Sequence, residues 1–207
     1  MSSQGQMVTA SASQFVKFKD AVLEIGKPAV VGVRPQITLE ADNKLTVTGL
    51  DETFGTNALR ELTAITNTSR STDKSEQTFN FVGGDGWTDA VHLTKRISQS
   101  YTSYLLKDTS SDGLDPALAL ILEAGNDEDI EVFIRNMFFL GSTDNAGEVT
   151  YTWRTIACNA LVSNPNENTP GDNIVEVTFD INSVSTVYMV QQTSIAPDRP
   201  SILPPPN

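Results

Sequence analysis

Residues 172–190, DNIVEVTFDINSVSTVYMV, carry the pattern that decides the fold of this chain. Apolar and polar side chains alternate there; the apolar ones are Val175, Val177, Phe179 and Ile181, and the polar ones are Glu176, Thr178, Asp180 and Asn182. Because successive side chains of a strand point to opposite faces, the stretch predicts a β-strand with one buried face and one polar, partly acidic face. What the acidic face is exposed to is therefore the functional question.

Length and charge narrow the class of protein. A chain of 207 residues can bury a sizeable core, and one domain is the default. The net charge of −12, from 26 acidic and 14 basic residues, argues against binding nucleic acid by neutralising its phosphates. No run of about 18 apolar residues exists, so no membrane span is expected. The single cysteine, Cys158, excludes an intramolecular disulfide.

Two stretches before residue 81 have clear patterns. In residues 36–50 apolar residues alternate on both sides of Asp42-Asn43, which predicts a β-hairpin. Residues 66–78, TNTSRSTDKSEQT, contain no apolar side chain over thirteen positions and predict a long solvated loop or a hairpin tip. Residues 14–33 fit either a short helix or strands, and the sequence leaves both open.

One helix is predicted from about residue 115 to residue 124. Asp115 can cap its N-terminus, Pro116 suits the first helical position, and Gly125 suits the stop at its C-terminus. Its apolar face at helical spacing comprises Leu114, Leu118, Ile121 and Leu122. This face requires the helix to pack against the rest of the protein.

The strands after the helix complete the predicted fold. Residues 130–140 are apolar on both alternating faces, which predicts a strand buried on both sides. Residues 149–161 alternate again and predict an antiparallel partner for the opening stretch, across a loop at 163–171. The order of elements predicts a mainly β protein, an antiparallel β-sandwich or barrel with one packed α-helix.

The two ends differ in composition from the body of the chain. Residues 1–13 are small, polar and uncharged, which predicts a flexible N-terminal arm. The last eleven residues hold five of the ten prolines, so residues 193–207 are predicted to form an extended Pro-rich C-terminal tail. Residues 14–192 are then a single β-rich domain. The N-terminus lacks the basic and apolar segments of a secretion signal.

The acidic residues do not form a recognisable site in the sequence. Residues 108–131 contain eight carboxylates and no Lys or Arg, which is typical of a solvated surface around helix ends. A calcium loop counted from Asp127 would need Gly and Glu at its sixth and twelfth positions, where this chain has Val132 and Phe138.

Signals for catalysis are equally weak. His92 is the only histidine, and it lies in an alternating run typical of a strand. Cys158 lies beside Ala157 in a β run, which favours a buried small side chain over a nucleophile. The glycines of residues 83–86 lack the Lys-Ser/Thr of a phosphate loop. The sequence therefore predicts no enzyme, no cofactor and no metal site.

Six motifs together are similar to the bacteriophage tail tube protein (major tail protein) family. They are an early hairpin (ITLEADNKLTVTGL, 37–50), a polar stretch before a strand (SRSTDKSEQTFNFVG, 69–83), a lone helix (LDPALALILEAG, 114–125), the strand after it (IEVFIRNMFFLG, 130–141) and a closing pair (VTYTWRTIACNALV, 149–162, and DNIVEVTFDINSV, 172–184). The Pro-rich end departs from a minimal tube subunit.

The resemblance implies a structural virion protein with a β-sandwich-like subunit. Six subunits would form a ring, rings would stack, and strands from all subunits would join into an inner β-barrel through which DNA is ejected. It implies the phage tail, assembled in the host cytoplasm, as the location. The implied partners are other copies of the chain and other tail proteins, and the resemblance leaves open whether a sheath is one of them. DNA would pass through the tube without specific binding.

The resemblance also assigns roles to particular residues. A lumen lined with carboxylates would repel DNA phosphates over roughly 8–10 Å at physiological salt. The candidates for this lining are Glu176, Asp180 and Glu131. The predicted loop at residues 66–78 and the N-terminal arm are candidate contacts between rings; the charged residues of the loop are Arg70, Asp73, Lys74 and Glu76.

A carbohydrate-binding β-sandwich, such as an adhesin or lectin-like module, is the alternative. An exposed Trp87 or Trp153 could stack on a sugar ring in such a module. Trp153 shares its predicted strand face with Val149 and Tyr151, which favours a place in the core instead. Trp87 is ambiguous.

Overall fold

A computed structural model describes residues 21–80, 88–108, 113–127, 129–145, 148–169 and 174–194, together with Pro200 and Ile202. The strands are β1 Ala21–Gly26, β2 Gln36–Leu39, β3 Leu45–Thr48, β4 Arg60–Glu61, β5 Ile65–Asn80, β6 Thr88–Tyr104, β7 Val132–Asn145, β8 Glu148–Asn168, β9 Glu176–Ser183 and β10 Tyr188–Ser194, and the helix α1 spans Pro116–Asn126. The predicted N-terminal arm lies outside the described residues.

Eight strands form one antiparallel sheet in the order β4-β1-β7-β8-β9-β6-β5, with β10 also paired to β8. The two ends of this order, β4 and β5, are consecutive in the chain. Between them, the Leu62 N–H donates to the Leu23 carbonyl at 2.8 Å, and the Ala64 carbonyl accepts from the Tyr104 N–H at 3.3 Å. The sheet therefore curves round into a barrel. The prediction of a mainly antiparallel β fold with one packed helix is confirmed.

The opening stretch is a wall of this barrel. In β9 the exposed fraction alternates residue by residue, with Val177, Phe179 and Ile181 buried inside, as predicted. Its register places Val162 of β8 opposite Ile181, and the predicted antiparallel pair is confirmed. Because the interior side chains of β1, β6, β7, β8 and β9 meet in one cluster, the barrel is a packed core rather than a pore.

Helix α1 fills one end of the barrel. Asp115 caps it as predicted, since its Oδ1 accepts from the N–H groups of Ala117 at 3.0 Å and Leu118 at 3.2 Å. Gly125 does not end the helix, which continues to Asn126. A Cβ at Gly125 would lie 2.6 Å from Cγ of Pro165, so this glycine allows the helix to approach β8 closely.

A second apolar cluster covers part of the outer surface of the barrel. It forms where the predicted hairpin, β2 and β3, lies over β7 and β8. Strand β7 is buried on both faces, as predicted, because Val132 and Ile134 point into the barrel while Phe133 points into the outer cluster.

The C-terminal segment completes the outer cluster. Ile202 is fully buried there, and its carbonyl accepts from the Val47 N–H at 2.8 Å. The Pro200 carbonyl accepts from Nη1 of Arg135, whose Nε donates to Glu24 Oε2 at 2.7 Å. At these two positions the tail packs on the domain.

Two segments predicted as loops are strands over most of their length. The polar residues 66–78 belong to β5 and pair with β6 across most of their length, so the predicted loop was wrong. Strand β7 runs on to Asn145, and β8 runs on to Asn168 past a register shift between Ser163 and Asn166. Backbone pairing requires no apolar side chain, so these polar segments form strands that the hydrophobic pattern does not reveal.

Candidate functional site

The outer face of β9 is the candidate site. It carries Glu176, Thr178, Asp180 and Asn182, all half-buried, beside Ser100 and Thr102 of β6. We call these six residues the open polar face, because the outer cluster, as far as the described residues form it, lies over β7 and includes none of them. This outer cluster forms over β7 and not over β9 because the two strands present different side chains outward. Phe133 points out of β7, whereas β9 presents carboxylates and hydroxyls.

Hydrogen bonds hold the open polar face in place. Asp180 accepts from Ser100 Oγ and, at 3.0 Å, from Asn164 Nδ2. Asn182 accepts from Ser98 Oγ at 2.8 Å. The acidic side chain at position 180 is therefore oriented by neighbours from both flanking strands, which is a geometry suited to a fixed wall.

The structure brings two of the three predicted lumen residues onto this face. Glu176 and Asp180 are four residues apart on one side of β9, about 13 Å along the strand. Glu131 lies elsewhere, immediately before β7, where Arg34 binds its carboxylate through two N–H groups, one of them at 2.8 Å. The hydrogen bond to Glu131 raises the pKa of Arg34, and the pair leaves little net charge at this position.

The predicted contact residues between rings lie in β5. Their partners in β6 are known from the register: Arg70 pairs with Gln99, Asp73 with Arg96, Lys74 with Lys95 and Glu76 with His92. Beyond the pairing of Ser98 with Asn182, β6 leaves β9, and residues 72–80 and 88–97 continue as a two-stranded ribbon. Among the described strands, none pairs with either outer edge of this ribbon.

A pocket of about 220 Å³ opens at the end of the barrel opposite the helix. We call it the mouth pocket; it is lined by Val22, Leu23, Ile65, Thr68, Arg70, Gln99, Tyr101, Asn136 and Phe138. At its base, the Asn136 amide nitrogen donates to Gln99 Oε1 at 2.7 Å. Burial raises the pKa of Tyr101 to about 12, and the side chain of Arg70 is exposed at the rim.

The residues considered for catalysis do not assemble into a site. Cys158 is buried in the barrel, as predicted, and burial raises the pKa of its thiol to about 12, so the thiolate needed for attack is scarce. His92 pairs through its backbone with Glu76 of β5. Across the described residues, no three potential metal ligands lie together, and no helix among them is long and apolar enough to cross a membrane.

The predicted sugar-stacking residue Trp153 lies in the barrel wall. It is almost fully buried, its ring lies 5.2 Å from that of Phe139, and its Nε1 donates to Ser194 Oγ at 3.3 Å. The expectation that Trp153 is a core residue is confirmed, which removes it from the carbohydrate-binding alternative. Trp87 lies outside the described residues.

Sequence reasoning missed the mouth pocket and the packing of the C-terminal segment. A signal for the second was present, because Ile202 and Leu203 are two consecutive large apolar residues in a Pro-rich segment. The pocket had no comparable signal, because its lining comes from four strands far apart in the chain.

Comparisons with known proteins found similarity at the level of structure only. No protein-family model matches the sequence, and no curated protein matches it. A chain in the tail of an empty gene transfer agent particle, refined with C6 symmetry, is 10% identical with a TM-score of 0.46, over 84% of this chain and 98% of that one. A chain in the virion of a native gene transfer agent is 9% identical with a TM-score of 0.45, over 84% and 98%.

A third solved structure, the six-fold symmetrised baseplate of the anti-feeding prophage, has a chain that is 9% identical with a TM-score of 0.41, covering 89% of this chain and 97% of that one. These three chains are parts of phage-like particles. At these TM-scores the similarity concerns only the shape of the chains, and the function is inferred from the residues of this protein.

Proposed function

We propose that this protein is a structural subunit of a phage-like tail tube, which assembles into six-membered rings that stack around a channel for DNA. The observation that carries the proposal is the ribbon of β5 and β6. It extends beyond the barrel with two edges that no described strand pairs, and unpaired strand edges are templates for strands of another chain. Ribbons of neighbouring copies would pair through these edges and close a larger barrel.

The open polar face is the proposed wall of the channel. Strand β6 runs from this face into the ribbon, and β9 is paired with β6, so joining ribbons would align the open polar faces of all copies. Glu176 and Asp180 would then present two carboxylates per subunit to the channel. Fixed negative charge repels the phosphates of DNA near the wall, and DNA would pass without binding. The salt-bridged Glu131 is not part of this proposal.

On β6, Arg96 is the cation nearest to this face, four residues before Ser100 and opposite Asp73 in the register. The residue opposite Arg96 in the register is thus an acidic one. The proposed lining therefore stays acidic over the length of β9, with no Lys or Arg among the side chains of β9 itself.

Electron microscopy of the purified full-length protein tests the proposal. Tubes or stacked rings are expected. The number of subunits per ring to test for is six, the symmetry of two of the assemblies above. A map that places Glu176 and Asp180 on the outer surface of a tube would refute the channel wall while leaving the tube intact. A chain that remains monomeric at high concentration would refute the assembly itself.

The carbohydrate-binding alternative makes the opposite prediction. It requires an exposed aromatic platform, and Trp153 does not provide one because it is buried. Specific binding on a glycan array by a monomeric protein would favour this alternative over the tube.

A further inference from the structure

The two ends of the barrel carry surfaces of opposite shape and charge. Strand β1 begins at the mouth pocket, where Val22 and Leu23 contribute to the lining, and runs to the helix end of the barrel. Just beyond β1 the chain makes a turn at residues 30–33, Val-Val-Gly-Val, which we call the valine turn. The turn and the pocket therefore lie at opposite ends of one subunit.

The valine turn is an apolar projection. Its three side chains, Val30, Val31 and Val33, are 59%, 52% and 57% exposed. Single exposed apolar residues are ordinary on a protein surface, but three within four positions form a cluster, and such clusters mark interaction sites. The turn is held in shape by backbone hydrogen bonds, from the Val33 N–H to the Val30 carbonyl at 3.1 Å and from the Gly32 N–H to the Asp129 carbonyl at 3.2 Å.

Two acidic residues, Asp127 and Asp129, lie at the base of the valine turn. The bond from Gly32 places Asp129 next to the turn, and the Asp127 carboxylate accepts from the Asp129 N–H at 3.0 Å. The Asp129 side chain is exposed. The helix end of the barrel thus presents an apolar knob with negative charge beside it.

The mouth pocket has the complementary chemistry. Its walls include Val22, Ile65 and Phe138, and its volume of about 220 Å³ equals that of roughly seven waters, room for more than one branched aliphatic side chain. Arg70 lies at its rim and has no ion-pair partner among the described residues. The opposite end of the barrel thus presents an apolar hole with positive charge beside it.

We propose that the valine turn of one copy inserts into the mouth pocket of the next copy, with Asp129 of the first beside Arg70 of the second. A contact between two different patches, placed at opposite ends of the subunit, repeats head to tail and extends a stack without limit. The proposal rests on the assembly proposed above and names the residues that would join one ring to the next. The occupant of the pocket is a second copy of this chain.

Exchange of the two charges tests the contact. Arg70→Glu and Asp129→Lys should each raise the protein concentration needed for stacking by about tenfold or more, and the variant carrying both should restore it. Val31→Ser should weaken stacking similarly, while the control Leu39→Ser, which changes a comparably exposed apolar residue on β2, should not. Sedimentation and electron microscopy measure the stacked fraction and show whether single rings persist.

A cysteine pair gives an independent measurement. Val31→Cys and Thr68→Cys in one chain lie at opposite ends of the barrel, so a disulfide between them must join two copies. Oxidation should yield a ladder of multimers from the double variant and none from either single variant; the native Cys158 is buried and stays unreacted.

The charge variants and the cysteine pair distinguish the contact between the valine turn and the mouth pocket from the proposed tube function. Tubes that form normally in the charge variants, with no cross-linked ladder, would refute the knob-and-pocket contact and leave the tube function standing. A wild-type chain that forms no stacks under any condition would refute both.

Discussion

Replacing Ile202 with Ala should destabilise the whole domain, although this residue lies eight positions beyond the last strand. Its side chain is fully buried in the outer cluster with Leu45, Val47 and Phe133, which are themselves fully buried. Removing a buried isoleucine to alanine costs about 2–5 kcal/mol, through lost transfer energy and the cavity left behind. A domain with roughly 5–15 kcal/mol of stability would lose a large share of it.

Urea unfolding followed by tryptophan fluorescence, to which the buried Trp153 contributes, measures this effect. With a slope near 2–3 kcal/mol per molar urea, a loss of about 3 kcal/mol moves the midpoint down by about 1 M, and the slope itself should not change. The matched control is Ile174→Ala, because Ile174 is 47% exposed and its truncation should cost within about 0.5 kcal/mol.

Deletion of residues 195–207 should destabilise more than Ile202→Ala. The deletion also removes the Pro200 carbonyl that accepts from Arg135 and the Ile202 carbonyl that accepts from Val47. The packing argument would be refuted if both changes shifted the midpoint no more than the Ile174 control does.

Three further results are expected. Glu24→Gln should cost about 3–5 kcal/mol in urea unfolding, because it removes the carboxylate from the buried Arg135; a loss below about 1 kcal/mol would contradict this. Asp115→Ala should cost about 1 kcal/mol, since two N–H groups lose their cap, whereas Asp115→Asn should keep most of it. Burial raises the pKa of Tyr101 from 10.0 in the unfolded chain to about 12, so its contribution to stability is complete below pH 10 and is lost as the pH rises through 12; Tyr101→Phe should lack this decline in pH-dependent unfolding.

The fold could be predicted where a local pattern determines it. The alternation in β9 predicts which side chains are buried, because the period of two in a strand is a property of the backbone itself. The cap at Asp115 depends on three neighbouring residues, and the hairpin of β2 and β3 depends on a turn between two short alternating runs. In each case the interacting residues are close in sequence.

The candidate site could be predicted only in part. The sequence indicates that Glu176 and Asp180 share a face, and the structure agrees. It could not indicate that Arg34 would bind Glu131, because these residues are 97 positions apart and meet only when β1 and β7 pair. The role of both carboxylates in lining a channel stays a prediction.

By itself, the sequence determined the β character of the chain, its lone helix, and the two-faced strand at residues 176–183. Only the tertiary structure decided that the polar residues of β5 form a strand, that Ile202 returns to the core, and that the barrel has a knob at one end and a pocket at the other. The physical reason is the distance along the chain between the residues that interact. Periodicity and caps act over a few residues, whereas strand partners, cluster neighbours and pocket walls are chosen among residues that are distant in the chain and become neighbours only when the barrel closes.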